Sequence, residues 1–180
     1  PMATLLYGPG AWLHEWLHNW YYGVLASNES LYPWMDEGFT TYAESRVTAY
    51  LKKDSNFAFT DDYKSYQALA KSGREEPLTT HADHYNTNAA YGAAVYSKGA
   101  VFLEQLGYIV GADTRDKILI NYYQAWKFKH PKPSDFIRIA ERLSSIKLDW
   151  YRIFGFIPPK PLITGLTVFG RKFLGQPRYD

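Results

Sequence analysis

The chain has 180 residues, 46% hydrophobic and 18% aromatic, enough for one domain with a sizeable core that buries roughly 70% of its unfolded surface. Its 20 basic and 18 acidic residues give a net charge of +2, too balanced to predict a nucleic-acid or anionic-membrane partner. Cysteine is absent, which excludes a disulfide framework and leaves the redox compartment unread, and no run of about 18 apolar residues predicts a membrane span.

In chain order the pattern reads as mainly α. Tyr7-Gly8-Pro9-Gly10 leads into a helix predicted over about 11–23 and closed by Gly23. Trp12, Leu13, Trp16, Leu17, Trp20 and Tyr21 cover most of its circumference, the composition of a buried helix. Pro33 is placed to open a second helix through about residue 52, with apolar positions Trp34, Met35, Phe39, Tyr42, Val47 and Tyr50. Thr60 is a candidate cap for a helix through Tyr63, Tyr66 and Leu69 to Gly73. A polar connection over 74–90 follows, and Asn88 is a candidate cap for the helix carrying Tyr96, Val101, Phe102, Leu103 and Leu106. Asp113 starts a helix through Ile118, Leu119, Tyr122 and Trp126, the Pro131–Ser134 turn leads into 135–145, and Leu148–Tyr151 opens a last short helix. The expected organisation is one domain over 1–157, then a Pro/Gly-rich tail or linker over 158–180.

The chemistry is concentrated in His14-Glu15-Trp16-Leu17-His18, followed after eighteen residues by Glu37. Histidines at i and i+4 share one helix face, a turn apart. The glutamate beside the first lies about 100° round the helix, able to reach a metal-bound water without ligating the metal. Two imidazoles and the Glu37 carboxylate form the three-ligand set that a catalytic zinc prefers, leaving one position open. On the second helix Glu37, Thr41, Glu44 and Thr48 form a polar stripe on an otherwise apolar surface. Such a stripe faces either the metal site, where Glu44 would hydrogen-bond the far nitrogen of His14 or His18, or water. Gly38 would let the first two helices approach closely. His81 and His84 lie in a polar loop without other clustered ligands and read as exposed, although the loop precedes Tyr91 and could line a cleft. The spread basic residues of the tail read as solvated surface.

On these residues the chain resembles the aminopeptidase N-type gluzincins, zinc metallopeptidases that include leukotriene-A hydrolase. The resemblance rests on the His14–His18 motif, on Glu37 within Trp34-Met35-Asp36-Glu37-Gly38-Phe39, and on Tyr91-Gly-Ala-Ala-Val-Tyr96-Ser97-Lys98-Gly99, and it spans roughly residues 11–155. It implies a thermolysin-like helical catalytic domain whose upstream β portion is largely absent from this chain, and one zinc ion. It implies that Glu15 acts as general base, that Tyr96 stabilises the oxyanion, and that Tyr91 accompanies Tyr96. Peptide substrates and removal of amino-terminal residues follow from the same likeness, as does a lean towards bacterial exported or periplasmic proteins. One departure matters: the Gly-x-Met-Glu-Asn-like strand that anchors the substrate amine is absent. The chain is therefore expected to be an excerpt on which further N- and C-terminal regions pack. Metalloendopeptidase action, or a non-catalytic zinc-stabilised binding domain, stand as alternatives.

Overall fold

The computed structural model describes residues 9–53 and 59–156. Eight α-helices and two π-helical turns make up most of these residues, and no β-strand occurs among them. In order they are α1 (Pro9–His18), a first π-turn (Asn19–Val24), α2 (Pro33–Lys52), α3 (Thr60–Ser72), a 3₁₀ turn (Ala82–His84), α4 (Asn88–Gly92), a second π-turn (Ala93–Lys98), α5 (Gly99–Val110), α6 (Ala112–Trp126), α7 (Pro133–Ser144) and α8 (Asp149–Phe156). The proposed 158–180 tail lies outside the described residues.

Helix α2 is the central element. Its Trp34, Met35, Phe39 and Tyr42 are buried against Phe102, Leu103 and Leu106 of α5, Ile118 and Tyr122 of α6, Phe136 of α7 and Tyr151 of α8. Aromatic rings set this core, with Phe39 edge-on to Phe136 at 5.2 Å and Trp34 edge-on to Phe102 at 5.3 Å. The Tyr151 hydroxyl donates to the carbonyl of Phe102, tying α8 to α5. A charged lattice fixes the far side of α2: Arg46 pairs with Asp116 through both carboxylate oxygens at 2.9 and 3.0 Å, and Arg115 joins Asp116 to Glu104.

The boundaries differ from the sequence reading at several points. Winding does not stop at Gly23 but continues to Val24 as a π-turn, whose periodicity differs too little from α to be read from pattern. Thr60 is the first residue of α3, preceded by Phe59 at φ +64°, and Thr87 rather than Asn88 caps α4, accepting from Ala90 N at 3.1 Å. Tyr50, expected on the apolar face, is 82% exposed while the adjacent Ala49 is buried, so the packed side of α2 runs through Phe39, Tyr42 and Ala49 and turns Tyr50 outward. The larger correction concerns α1. Trp12 and Trp16 are 57% and 61% exposed and Trp20 39%, so this helix presents one face to the site and an aromatic stripe to the outside. Apolar composition predicts burial but does not say that the burying surface lies within the same 180 residues.

Candidate metal centre

Two helices and one π-turn build the site. Helix α1 carries His14 and His18 on the face turned to α2, their rings edge-on with centroids 4.8 Å apart. Helix α2 opens with Pro33 at its first turn, which brings Asp36, Glu37, Thr40 and Glu44 up against those histidines. The second π-turn carries Tyr96, whose ring stacks 5.8 Å from that of His14 and whose hydroxyl donates to Glu37.

The outer nitrogens are taken and the inner ones converge. His14 Nδ1 lies 3.0 Å from Glu44 Oε2, and His18 Nδ1 lies 2.6 Å from Asp36 Oδ1, with Thr40 Oγ1 at 3.3 Å. The Nε2 atoms of His14 and His18 stand 3.1 and 3.3 Å from one atom, Glu37 Oε2. Bonds of about 2.1 Å in a tetrahedral site separate ligand atoms by roughly 3.4 Å. One ligand atom from each of the three residues lies within 4.8 Å of the others, so His14, His18 and Glu37 fit a single ion, and two imidazoles with a carboxylate suit zinc. It is the one cluster of this kind among the described residues.

The electrostatics agree. Burial opposes charge on all three groups, but the hydrogen bonds win. His14 is raised to about 9 against the penalty of burial by Glu37 and Glu44, and His18 to about 10 by Asp36 and Glu37. Burial alone would raise Glu37, yet bonds from His14, His18 and Tyr96 hold it at about 2. The site is thus a negative cradle that gathers positive charge, whether protons or a metal cation. Tyr96 is raised from its ordinary value by burial and by its bond to Glu37, which keeps its hydroxyl protonated as a donor.

Of the other residues singled out from sequence, Glu15 is exposed beside His14. Tyr91 stands edge-on to Tyr96 at 6.3 Å and, with Glu37, Asp36 and Glu29, lines a cavity of about 150 Å³. Thr41 Oγ1 is buried and has no hydrogen-bond partner among the described residues, so no such bond joins it to the site. Gly38 does not face α1 as expected; its partner is Gly99 of α5, while α1 approaches α2 where Gly10 meets Glu44. His81 and His84 sit with ring centroids 4.8 Å apart around the 3₁₀ turn, and neighbouring Ala82 lines the cavity. Asp36 was missed. The signal available was an acid in the first turn of α2, directly before a candidate ligand.

Fold and site together define a helical scaffold around a candidate metal centre of two histidines and a glutamate, with a tyrosine hydroxyl beside it. The chain matches the peptidase family M1 domain over residues 11–153, and it belongs to that family. It is 28% identical over 150 residues to leucine aminopeptidase 2 of Chaetomium globosum, covering 71% of this chain and 24% of that protein. It is 30% identical over 121 residues to a leukotriene A-4 hydrolase homolog of Botryotinia fuckeliana, covering 63% and 19% respectively. The fold is shared with an M1 zinc metallopeptidase from Deinococcus radiodurans, solved as a variant bound to a Tyr-Ser-Ala substrate. That likeness has a TM-score of 0.68 and 20% identity over 84% of this chain and 34% of that one. The chain spans about a quarter of the length of leucine aminopeptidase 2 relatives that it matches.

Proposed function

We propose that this chain is the catalytic core of a zinc-dependent peptidase that removes residues from the amino terminus of peptides. The observation that carries the reading is the convergence of His14 Nε2 and His18 Nε2 on Glu37 Oε2, with the Tyr96 hydroxyl at the same carboxylate. Asp36 and Glu44 accept from Nδ1 of His18 and His14 respectively, so that the two Nε2 atoms and the Glu37 carboxylate would hold a single zinc ion. The chemistry supplied by a bound zinc is Lewis acidity, which polarises a carbonyl and acidifies water. The Glu15 carboxylate takes the proton of the attacking water and passes it to the departing amine. Tyr96, kept protonated, donates its hydroxyl to the carbonyl oxygen as negative charge develops there. The names of the relatives support the aminopeptidase direction, since leucine aminopeptidase 2 recurs among them. The remainder of the longer polypeptide would pack on the exposed Trp12 and Trp16 of α1 and Trp20 of the first π-turn and complete the cleft.

The test is Glu15→Gln in the full-length protein. It should retain stoichiometric zinc while turnover falls by three orders of magnitude or more, roughly the loss seen when a catalytic acid–base group is removed. Undiminished hydrolysis would remove Glu15 from its role. Comparing a free-amine dipeptide substrate with its acetylated form separates the exopeptidase from an endopeptidase, and absence of zinc-dependent turnover leaves only a zinc-stabilised binding domain.

A further inference from the structure

We propose that Asp62 is a positioning residue for Tyr96, its carboxylate joining the segment that carries Tyr96 to the helix that carries Glu37 and Glu44. The inference rests on the donor role assigned to Tyr96 above. Asp62 lies in the first turn of α3, and Ser45 Oγ of α2 donates to its Oδ2 at 3.3 Å. Ser97 donates to the same carboxylate from the second π-turn. Ser45 directly follows Glu44, and Ser97 directly follows Tyr96. One carboxylate on a third helix therefore ties together the residues next to two members of the site.

The surroundings argue that this arrangement is not there for stability alone. Among the described residues the charges that act most on Asp62 are those of Glu44 and Asp61, both acids, and Lys64 is engaged by Asp61 at 3.0 Å. A half-buried carboxylate facing like charges, with serine hydroxyls as its side-chain donors among the described residues, is a poor device for holding a fold together. It is a good device for fixing two hydroxyl-bearing segments at once, because its two oxygens accept in defined directions. The connection that follows α3 grips the same segment: Lys98 Nζ pairs with Glu75 Oε1 at 2.8 Å and donates to the Glu76 carbonyl at 3.2 Å. Tyr96 thus sits on a π-turn whose last two residues are pinned, Ser97 by the start of α3 and Lys98 by the connection that follows it. A π-turn is a local departure from α-helical winding, frequent at functional sites, and here lateral bonds hold the two residues that follow the phenol.

The experiment uses the full-length, zinc-loaded protein with Asp62→Ala, Tyr96→Phe and both together. Asp62→Ala should lower kcat by about tenfold at unchanged KM and zinc content, and by less than about twofold when Tyr96 is already Phe. An equal loss in both backgrounds overturns the inference, since Asp62 would then act on the fold at large. A second readout needs no turnover: the ring signal of Tyr96 in protein carrying ¹³C-labelled tyrosine, identified by its disappearance in Tyr96→Phe. Asp62→Ala should shift that signal, and Asp62→Asn, which keeps one acceptor oxygen, should move it back towards the parent position. An unmoved signal overturns the inference. A moved signal in a protein that hydrolyses no peptide sustains the positioning role and sinks the peptidase reading. Should Asp62→Ala fail to fold, Ser97→Ala, which deletes a single hydroxyl, must give the same pattern.

Discussion

Gly38 and Gly99 pack backbone to backbone. A Cβ on Gly38 would lie 2.9 Å from Gly99 Cα and 3.0 Å from the Val95 carbonyl oxygen, and a Cβ on Gly99 would lie 2.8 Å from Gly38 Cα. Each glycine directly borders the chemistry: Gly38 follows Glu37, and Gly99 closes the π-turn of Tyr96. Their contact sets the spacing between the candidate ligand and the candidate oxyanion donor.

Gly38→Ala should therefore lower both stability and turnover. Alanine gains about 1 kcal/mol over glycine in a helix interior. The added methyl meets main-chain atoms that cannot rotate away, and overpacking of that kind costs about 1–3 kcal/mol. Overpacking wins, and the expected outcome is a Tm lower by several degrees together with a reduced kcat, because α2 and α5 must separate. Gly92→Ala is the control, since a Cβ there meets nothing within 4 Å. A Gly38→Ala protein as stable and active as the parent would show that the close contact sets nothing.

Removing the outer carboxylates should weaken metal binding without removing a ligand. Asp36 and Glu44 orient His18 and His14 at 2.6 and 3.0 Å, and losing such a partner costs about 10–100-fold in metal affinity. Competition against a chelator on Asp36→Ala and Glu44→Ala measures this directly. Asp36→Ala is expected to be partly buffered, because Thr40 Oγ1 stands 3.3 Å from the same nitrogen, and adding Thr40→Val should deepen the loss. Zinc affinity indifferent to all three changes would dismiss the orienting role.

Tyr96→Phe separates donation from binding. The hydroxyl is lost while the ring, stacked on His14 at 5.8 Å, keeps its packing. Loss of a single oxyanion donor typically lowers kcat by about 10²–10³-fold, so turnover should fall by that factor while zinc affinity stays within about twofold. Parent-like kcat in this variant would take the oxyanion role away from Tyr96.

What the sequence disclosed follows from what each signal encodes. Histidines at i and i+4 share a face in any helix, and the Glu37–Glu44 stripe shares one too, so periodicity alone brings His14, His18, Glu37 and Glu44 together once two helices pack. Asp36 was not legible, because its bond to His18 depends on how α2 is rotated against α1, a tertiary relation with no periodic trace. The partner of Gly38 was misjudged for the same reason: glycine announces a close approach but not which helix approaches. Exposure of Trp12 and Trp16 was hidden because hydrophobic patterning reports a buried face without naming the surface that buries it. Asp62, eighteen residues beyond Glu44, carried no motif at all, and only the fold brings it to Ser45 and Ser97.

Asp62 also makes a prediction about pH. Burial first, then the acids Glu44 and Asp61, raise its carboxyl from 3.8 to about 6, against the opposing bonds from Ser45 and Ser97. Below 3.8 the group is protonated in both folded and unfolded chains, and its favourable contribution is fully present. Between 3.8 and about 6 the folded protein holds a proton that the unfolded chain has released, so each step up in pH costs stability. Above about 6 the folded protein carries the ionised carboxylate and the loss is complete. Allowing for partial solvent screening, the loss from this group amounts to about 1–2 kcal/mol. Asp62→Asn cannot titrate, so the variant should be about that much more stable than the parent at pH 7 and no more stable at pH 4. Denaturant unfolding at the two pH values measures the difference, and greater stability of the parent at pH 7 would mean that the serine bonds to the carboxylate outweigh its burial.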